Sequence, residues 1–381
     1  MQKLFWTILI TITAIGPMCC SQPTTDAEKV GVWYITVFYD ASWSSKHWAE
    51  VRSRTWQSVP INAPESSIDR KVIERQYREM RECGIDYILM DDTNGVGIDD
   101  GLISKVIQAW FDFMDAKPEK QRIPMAVAVG GELNWWKDRS AWLKAVDYEW
   151  KTYAQRPSYL RVDGKPVFHW YLEKDDVWPD WDDKRWKIRR NYNFFRMDGQ
   201  LKYGGWGYGT DSFIHDIKEC QSFQPGWDLS MPPGMPREGG EFYRKRWINA
   251  LKCQTRHVLL ACWNGWAEGN AIEDSYSWKD TYGDTAPSWY RLLTQGYIAA
   301  YKKRLVKEFY YRDESLPHIY LWNGKSLKWV REYPHRIPVI VLPSGLLGKL
   351  AHSKMSRPGV QSLGVGPKPF KAPPSIAPKD E

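Results

Sequence analysis

The alternation of strand-like and helix-like segments limits the fold of this chain more strongly than any other feature of its sequence. Residues 30–39 form a continuous apolar run, as expected of a strand covered on both faces. Alternation of this kind is typical of βα units around a parallel sheet. An irregular stretch over residues 199–239, rich in glycine and proline, holds either an eighth strand or long functional loops. The seven strand candidates are 30–39, 85–90, 123–129, 166–172, 192–197, 220–223 and 258–262.

Helical patterns fall between most of these strands. Ser66 begins a capping-box-like sequence with an acidic residue three positions later, and Gly84 is expected to end the helix that follows. Apolar residues at helical spacing predict further helices. These cover 102–114, 140–154, 241–253 and 288–305.

The pattern changes after about residue 309. Residues 319–322 and 327–330 flank Asn323-Gly324, which is typical of a hairpin with a type I′ turn, and 338–342 is a further strand candidate. Proline, glycine and lysine dominate residues 351–381, which predicts disorder. We therefore expect a barrel over 28–308, a small β-rich extension over 309–350 and a disordered tail.

The first 20 residues have the pattern of an export signal. Lys3 precedes an apolar stretch at 4–15, which is shorter than the roughly 20 residues of a spanning helix. Cys19 or Cys20 is the candidate lipid acceptor of a bacterial lipoprotein signal, and an ordinary cleaved signal is the alternative. The sequence predicts a secreted protein or a periplasmic one, anchored to the outer membrane only through that lipid.

Charge and cysteine spacing exclude several functions. The net charge is +7, but 15 basic and 6 acidic residues lie after residue 300, and the body holds 38 basic and 40 acidic residues. Nucleic-acid binding requires a basic stripe on a folded face, so we predict no nucleic-acid partner. Cys83, Cys220, Cys253 and Cys262 match no metal-binding spacing, and we predict neither a metal nor a cofactor.

Acidic residues follow the C-terminal ends of several predicted strands. Asp91 and Asp92 end the second strand, Glu132 and Glu173 follow the third and fourth, and Glu268 follows the last. In a βα barrel the catalytic residues lie at this end of the strands. Two carboxyl groups across a cleft can hydrolyse a glycoside, one as acid and one as base or nucleophile. For the first four, a turn, a helix cap or a loop salt bridge is the alternative.

Tryptophan is unusually frequent, at 23 of 381 residues. Its large flat ring suits a stiff core and also suits a cleft in which sugars stack. Several tryptophans fall in predicted loops after strands, where they are candidates to contact a sugar. The candidate substrate-binding residues are Trp135, Trp206, Trp263, Asn264 and Trp266, together with Asp92 and Glu173.

The segment WNGWAEGNAIEDS, residues 263–275, resembles the signature W-N-E-W-x-E-G-x-x-I-E of family 99 glycoside hydrolases. This is the endo-α-mannosidase and endomannanase type, with related barrels described as glycosyltransferases. Further segments resemble the family in order, beginning at Gly31, Ile68, Tyr159 and Tyr290, so that the similarity covers residues 30–303. The resemblance implies a (β/α)8 TIM-like barrel with a sugar cleft.

One departure from the signature concerns the mechanism. In the family, the first Glu acts as a base on the sugar 2-hydroxyl, giving an epoxide-like intermediate, and the second Glu is the general acid. Here the first position is Gly265, and only the acid, Glu268, matches. Together with the export signal, the resemblance favours an exported glycoside hydrolase that cleaves a polysaccharide or oligosaccharide. The strand-end carboxylates Asp91, Asp92, Glu132 and Glu173 are the candidates for base or nucleophile, with Asp91 and Glu132 first.

Two other functions stay open. A catalytically silent carbohydrate-binding barrel is the alternative that Gly265 favours. A glycosyltransferase is a further alternative, favoured only by the description of some relatives. The export signal and the lack of a phosphate-binding glycine-rich motif argue against it.

Overall fold

A parallel β-sheet surrounded by helices forms the centre of the molecule. The structure is a computed structural model, and it describes residues 29–53, 60–93, 101–131, 139–172, 181–192, 220–227, 235–275, 286–334 and 337–352. The strands of the sheet are β1 (Lys29–Tyr34), β2 (Tyr87–Asp92), β3 (Met125–Gly131), β4 (Arg161–Val162), β5 (Lys165–Leu172), β6 (Lys187–Tyr192), β7 (Cys220–Phe223) and β8 (His257–Leu260). The helices beside it are α1 (Lys46–Ser53), α2 (Arg70–Cys83), α3 (Leu102–Asp115), α4 (Arg139–Thr152), α5 (Glu241–Cys253) and α6 (Trp289–Tyr301).

Seven of these strands run parallel, in the spatial order β6-β5-β3-β2-β1-β8-β7, and the short β4 pairs antiparallel with β5. The parallel α/β fold predicted from the alternation is thus confirmed. Strand β6 begins five residues before the predicted strand 192–197, most of which lies outside the described residues. Residues 193–219, between the two edge strands, also lie outside them, so closure into an eight-stranded barrel stays a prediction.

Contacts between distant strands show that the sheet is strongly curved. The rings of Trp33 on β1 and Tyr171 on β5 meet edge to face at 6.0 Å, although β2 and β3 lie between these strands. In a flat sheet the three steps from β1 to β5 would separate the strands by about 14 Å. The Tyr87 hydroxyl on β2 is likewise close enough to Arg189 on β6 and Cys220 on β7 for both to act on its pKa. These side chains therefore share the interior of the curved sheet.

The opposite face of the sheet packs against the helices through aromatic side chains. Tyr34 contacts Trp110 of α3 at 4.9 Å, and Phe223 contacts Trp247 of α5 at 5.2 Å. Successive side chains of a strand alternate between the two faces. The residues directly before and after a helix-facing residue on the same strand therefore point into the interior.

Helix α2 begins and ends through its capping residues. The Asp69 side chain accepts a hydrogen bond from the Lys71 N–H, and Gly84 ends the helix with φ 85°, a left-handed conformation that glycine adopts easily. The predicted end at Gly84 is confirmed. The predicted cap at Ser66 is wrong, because its hydroxyl donates to the Tyr39 carbonyl and Asp69 takes the capping position.

A second sheet of four strands follows α6. It consists of β9 (Tyr310–Asp313), β10 (Ile319–Trp322), β11 (Leu327–Val330) and β12 (Val339–Leu342), in the order β11-β10-β9-β12, and a short helix α7 (Leu346–Leu350) follows. The predicted hairpin and the strand after it are confirmed, and β9 is an addition. The predicted type I′ turn is wrong, because four residues, 323–326, join β10 to β11, and of Asn323 and Gly324 only Gly324 has a positive φ, at 94°. This sheet packs on α6, where the Tyr297 hydroxyl donates to the Val341 carbonyl at 3.0 Å.

Both ends of the chain lie largely outside the described residues. The predicted signal segment with Cys19 and Cys20 belongs to residues 1–28, and nearly all of the predicted disordered tail belongs to residues 353–381. Within the described ranges, no helix is long and apolar enough to cross a membrane. The four cysteines of the body are all described and form no disulfide with one another.

Candidate functional site

Asp91 lies at the C-terminal end of β2 and points into the interior of the curved sheet. Met90, the preceding residue, pairs with Tyr34 of β1, and Tyr34 faces the helices. Because adjacent side chains of a strand point to opposite faces, Asp91 faces the interior. Its side chain accepts the Thr93 N–H at 3.0 Å. Burial raises the pKa of Asp91 above its ordinary value, and the hydrogen bond from Thr93 opposes that shift. A half-buried carboxyl group thus stands where barrel chemistry is expected.

Asp92, the next residue, points the other way. Its side chain is buried beneath α4 against Glu149, and the two carboxyl groups are 1% and 0% exposed. Burial raises the pKa of Asp92 to about 7 and that of Glu149 well above its usual range. The prediction that Asp92 contacts substrate is therefore not supported, because the two-residue period of a strand sends adjacent carboxyl groups to opposite faces.

The loop after β8 is braced by backbone hydrogen bonds. The Trp263 N–H donates to the Trp33 carbonyl at 2.8 Å, and the Trp263 carbonyl accepts from Ile272 and Glu273. The guanidinium of Arg237, 5% exposed, donates to the Gly269 and Ala271 carbonyls at 2.8 Å each. The signature segment is thus stabilised by hydrogen bonds within itself, to β1 and to Arg237, and Glu268 lies half-buried within it.

Three of the predicted sugar contacts in this loop are buried instead. Trp263 is 0% exposed and Trp266 is 2% exposed, so neither ring has a face open to a sugar in this structure. The side-chain amide of Asn264 accepts the Ile35 N–H and donates to the Ile35 carbonyl, both at 2.8 Å. These residues join the loop to the end of β1. Their burial gives them a structural role in this structure, and substrate binding by them stays a prediction.

Glu268 is connected to strand β7 through an amide. Asn270, fully buried, donates its Nδ2 to a Glu268 carboxyl oxygen at 3.1 Å and to the Gln224 side chain at 3.3 Å. Gln224 directly follows β7. Gly265 lies beside this amide, and a Cβ atom there would lie 1.7 Å from the Asn270 Oδ1.

The last Glu of the signature is held by α2. Glu273, 1% exposed, accepts Arg75 at 2.6 Å and the Gln76 amide at 3.0 Å. The Tyr34 hydroxyl donates in turn to Gln76 at 2.8 Å. This network ties the end of the signature segment to β1 and α2, so Glu273 has a structural role.

Sequence reasoning missed Arg237, Gln224 and Asn270. Arg237 stands in the irregular stretch where no pattern could be assigned, and the other two are neutral amides that a search for carboxylates passes over. Four predicted residues, Glu132, Glu173, Trp135 and Trp206, lie outside the described residues. In the part of the chain that the structure describes, no cluster of three or more His, Cys, Asp or Glu side chains could hold a metal ion.

The fold and the site together define a βα protein of the kind that carries its functional groups at the C-terminal ends of parallel strands. No family model and no curated protein matches the chain. The chain is similar to a solved structure of the GH99 endo-α-mannosidase from Bacteroides thetaiotaomicron, with 14% identity, a TM-score of 0.56 and coverage of 72% of this chain and 98% of that one. The same enzyme in complex with bis-tris-propane aligns with 15% identity, a TM-score of 0.55 and coverage of 73% and 98%. At 14–15% identity the similarity shows the fold alone. The resemblance to family 99 is confirmed as a similarity of fold.

Proposed function

We propose that the chain is a glycoside hydrolase acting on a polysaccharide or oligosaccharide, with Glu268 as the general acid. The position of Glu268 carries this proposal. It occupies the acid position of the resembled signature, on a braced loop at the catalytic end of a parallel sheet. A fold like that of a glycoside hydrolase supports it.

The second carboxyl group in this proposal is Asp91. Strand β1 alone separates β2 from β8, so Asp91 and the loop that carries Glu268 follow the ends of strands that are two steps apart in the sheet. Carboxyl groups about 6.5–9.5 Å apart leave room for a water molecule and invert the anomeric centre, whereas groups about 5 Å apart retain it. Asp91 is therefore proposed as the base or nucleophile, and the separation between its carboxyl group and that of Glu268 decides whether the reaction inverts or retains. Glu132 is the other candidate base.

A carbohydrate-binding barrel without activity is the second candidate function. The observation that favours it is Gly265, which supplies no base where the resembled family has one. Export, and a lipid on Cys19 or Cys20, stay proposals that rest on the N-terminal sequence.

The proposal is tested by incubating the protein with a panel of algal, plant and fungal polysaccharides and mapping released products by mass spectrometry. Glu268→Gln should abolish release while calorimetry still detects binding, because it removes the transferable proton and keeps the shape. Glu119→Gln, on an exposed residue, is the matched control. Turnover unchanged in Glu268→Gln would refute Glu268 as acid, and binding without products by the wild-type protein would favour the silent barrel.

A further inference from the structure

Position 265 is closed to a side chain by its surroundings. A Cβ atom at Gly265 would lie 1.7 Å from Oδ1 and 2.9 Å from Cγ of Asn270, and 3.1 Å from Cβ of Cys262. The φ angle of Gly265 lies outside the left-handed region, so the backbone itself does not demand glycine. The amide of Asn270 thus takes the volume into which the first Glu of the resembled signature would extend.

The amide is held in place from several directions. The Asn270 N–H donates to the Gly265 carbonyl at 3.2 Å, and the Asn270 carbonyl accepts the Cys262 N–H at 3.3 Å. The two carbonyls beside Asn270 in sequence are those that Arg237 binds. Asn270 is therefore fixed by its own backbone and by both neighbours.

This fixed amide contacts the candidate acid. Its Nδ2 group joins Glu268 to Gln224, which is 1% exposed, and so connects the loop after β8 with the end of β7. A donated N–H stabilises the ionised form of a carboxyl group and also fixes its rotamer. A neutral amide moreover adds no like charge beside Glu268, as a second carboxylate would.

We propose that Asn270 is a positioning residue for Glu268, and that its amide replaces, in volume and in contact, the side chain absent at Gly265. This inference rests on the proposed function only for its catalytic consequence. The carboxyl group is oriented from β7, and the second carboxyl group of the reaction comes from another strand end.

The test measures the titration of Glu268 in the full-length protein, by carbon-13 NMR of labelled glutamate carboxyl groups, with Glu268→Gln to assign the signal. Asn270→Asp keeps the shape, loses the donor and adds a charge, so it should raise the pKa of Glu268 by about one unit or more. Asn270→Ala should raise it less. Asn323→Asp, in the exposed turn between β10 and β11, is the control and should leave it unchanged.

A second variant covers the case in which residue 270 does not tolerate change. Gly265→Ala leaves Asn270 in the chain but displaces its amide, so it should shift the Glu268 titration in the same direction as Asn270→Ala. Unchanged titration of Glu268 in the folded variants overturns the inference. A shifted titration in a protein that releases no products upholds the positioning role and refutes the hydrolase proposal, whereas products without a shift do the reverse.

Discussion

Asp92 on β2 and Glu149 on α4 form a buried pair of carboxyl groups between the sheet and the helix layer. None of their four oxygens receives an N–H or O–H from the described residues, so the pair is satisfied when a proton on Glu149 is donated to Asp92. Among the described residues, Asp91, Tyr153 and Tyr159 are the other titratable groups that interact with the pair, and none of these three carries a positive charge. The pair therefore stabilises the fold only while it is protonated.

This pairing predicts that stability falls from mildly acidic to alkaline pH. Both pKa values are raised in the folded state, that of Asp92 to about 7, so the contribution is complete below the ordinary carboxyl range and is lost as pH rises through the raised values. Glu149→Gln should flatten this dependence and raise the unfolding free energy at pH 8 by at least about 1 kcal/mol, one pKa unit being about 1.4 kcal/mol. Denaturant unfolding at pH 5 and pH 8 measures it.

The matched control for this prediction is Glu119→Gln, because Glu119 is exposed. It should leave the difference between the two pH values unchanged. A Glu149→Gln variant that keeps the full pH dependence of the wild-type protein would show that the pair does not cause it.

The order of strands and helices could be predicted because the sequence repeats its pattern locally. Helix α5 and the strands of the hairpin, β10 and β11, have the predicted bounds. The capping Gly84 was equally predictable, since few other residues adopt a left-handed φ. Strand β9 was missed; it pairs with β10, which follows closely in sequence, and only its pairing with β12 joins segments that are farther apart.

The roles of individual residues were harder to predict, because they depend on which face of the sheet each side chain points to. Asp91 and Asp92 are identical in type and adjacent in sequence, yet one points into the interior and the other beneath α4. The tryptophan surplus was assigned to a sugar cleft, but Trp142, Trp170 and Trp181 form a buried cluster with ring centroids 5.0–5.5 Å apart. Among the described residues, core packing accounts for much of the surplus.

A substitution of Asn264 tests whether this residue stabilises the fold or binds a sugar. Asn264→Ala removes both hydrogen bonds to the Ile35 backbone and should lower the unfolding free energy by about 2–4 kcal/mol, because two backbone groups lose their partners. Asn323→Ala, in the exposed turn, should cost about 1 kcal/mol or less. A variant as stable as the wild-type protein that binds glycan weakly would instead make Asn264 a substrate contact.

The contact between Gly265 and Asn270 predicts energetic coupling. Gly265→Ala should cost about 1–2 kcal/mol of unfolding free energy, because its methyl group displaces a buried, hydrogen-bonded amide. In an Asn270→Gly background the same change should cost little, since the obstructing side chain is gone. A double-mutant cycle by chemical denaturation measures this, and additive costs would contradict the contact.

The packing of the second sheet on α6 predicts that the effect of Gly296→Ala on stability depends on the side chain of Ile340. A Cβ atom there would lie 2.5 Å from Cδ1 and Cγ1 of Ile340 on β12, so Gly296→Ala should destabilise the protein by about 1–3 kcal/mol despite the better helix propensity of alanine. With Ile340→Ala the main obstruction disappears and only Phe309 Cδ2, at 3.3 Å, stays close, so Gly296→Ala should then cost far less or stabilise by up to about 1 kcal/mol. Both sheets share one apolar core, so we expect a single unfolding transition by fluorescence and circular dichroism. Two separated transitions, or the same cost in both backgrounds, would show that the second sheet does not pack on α6 in this way.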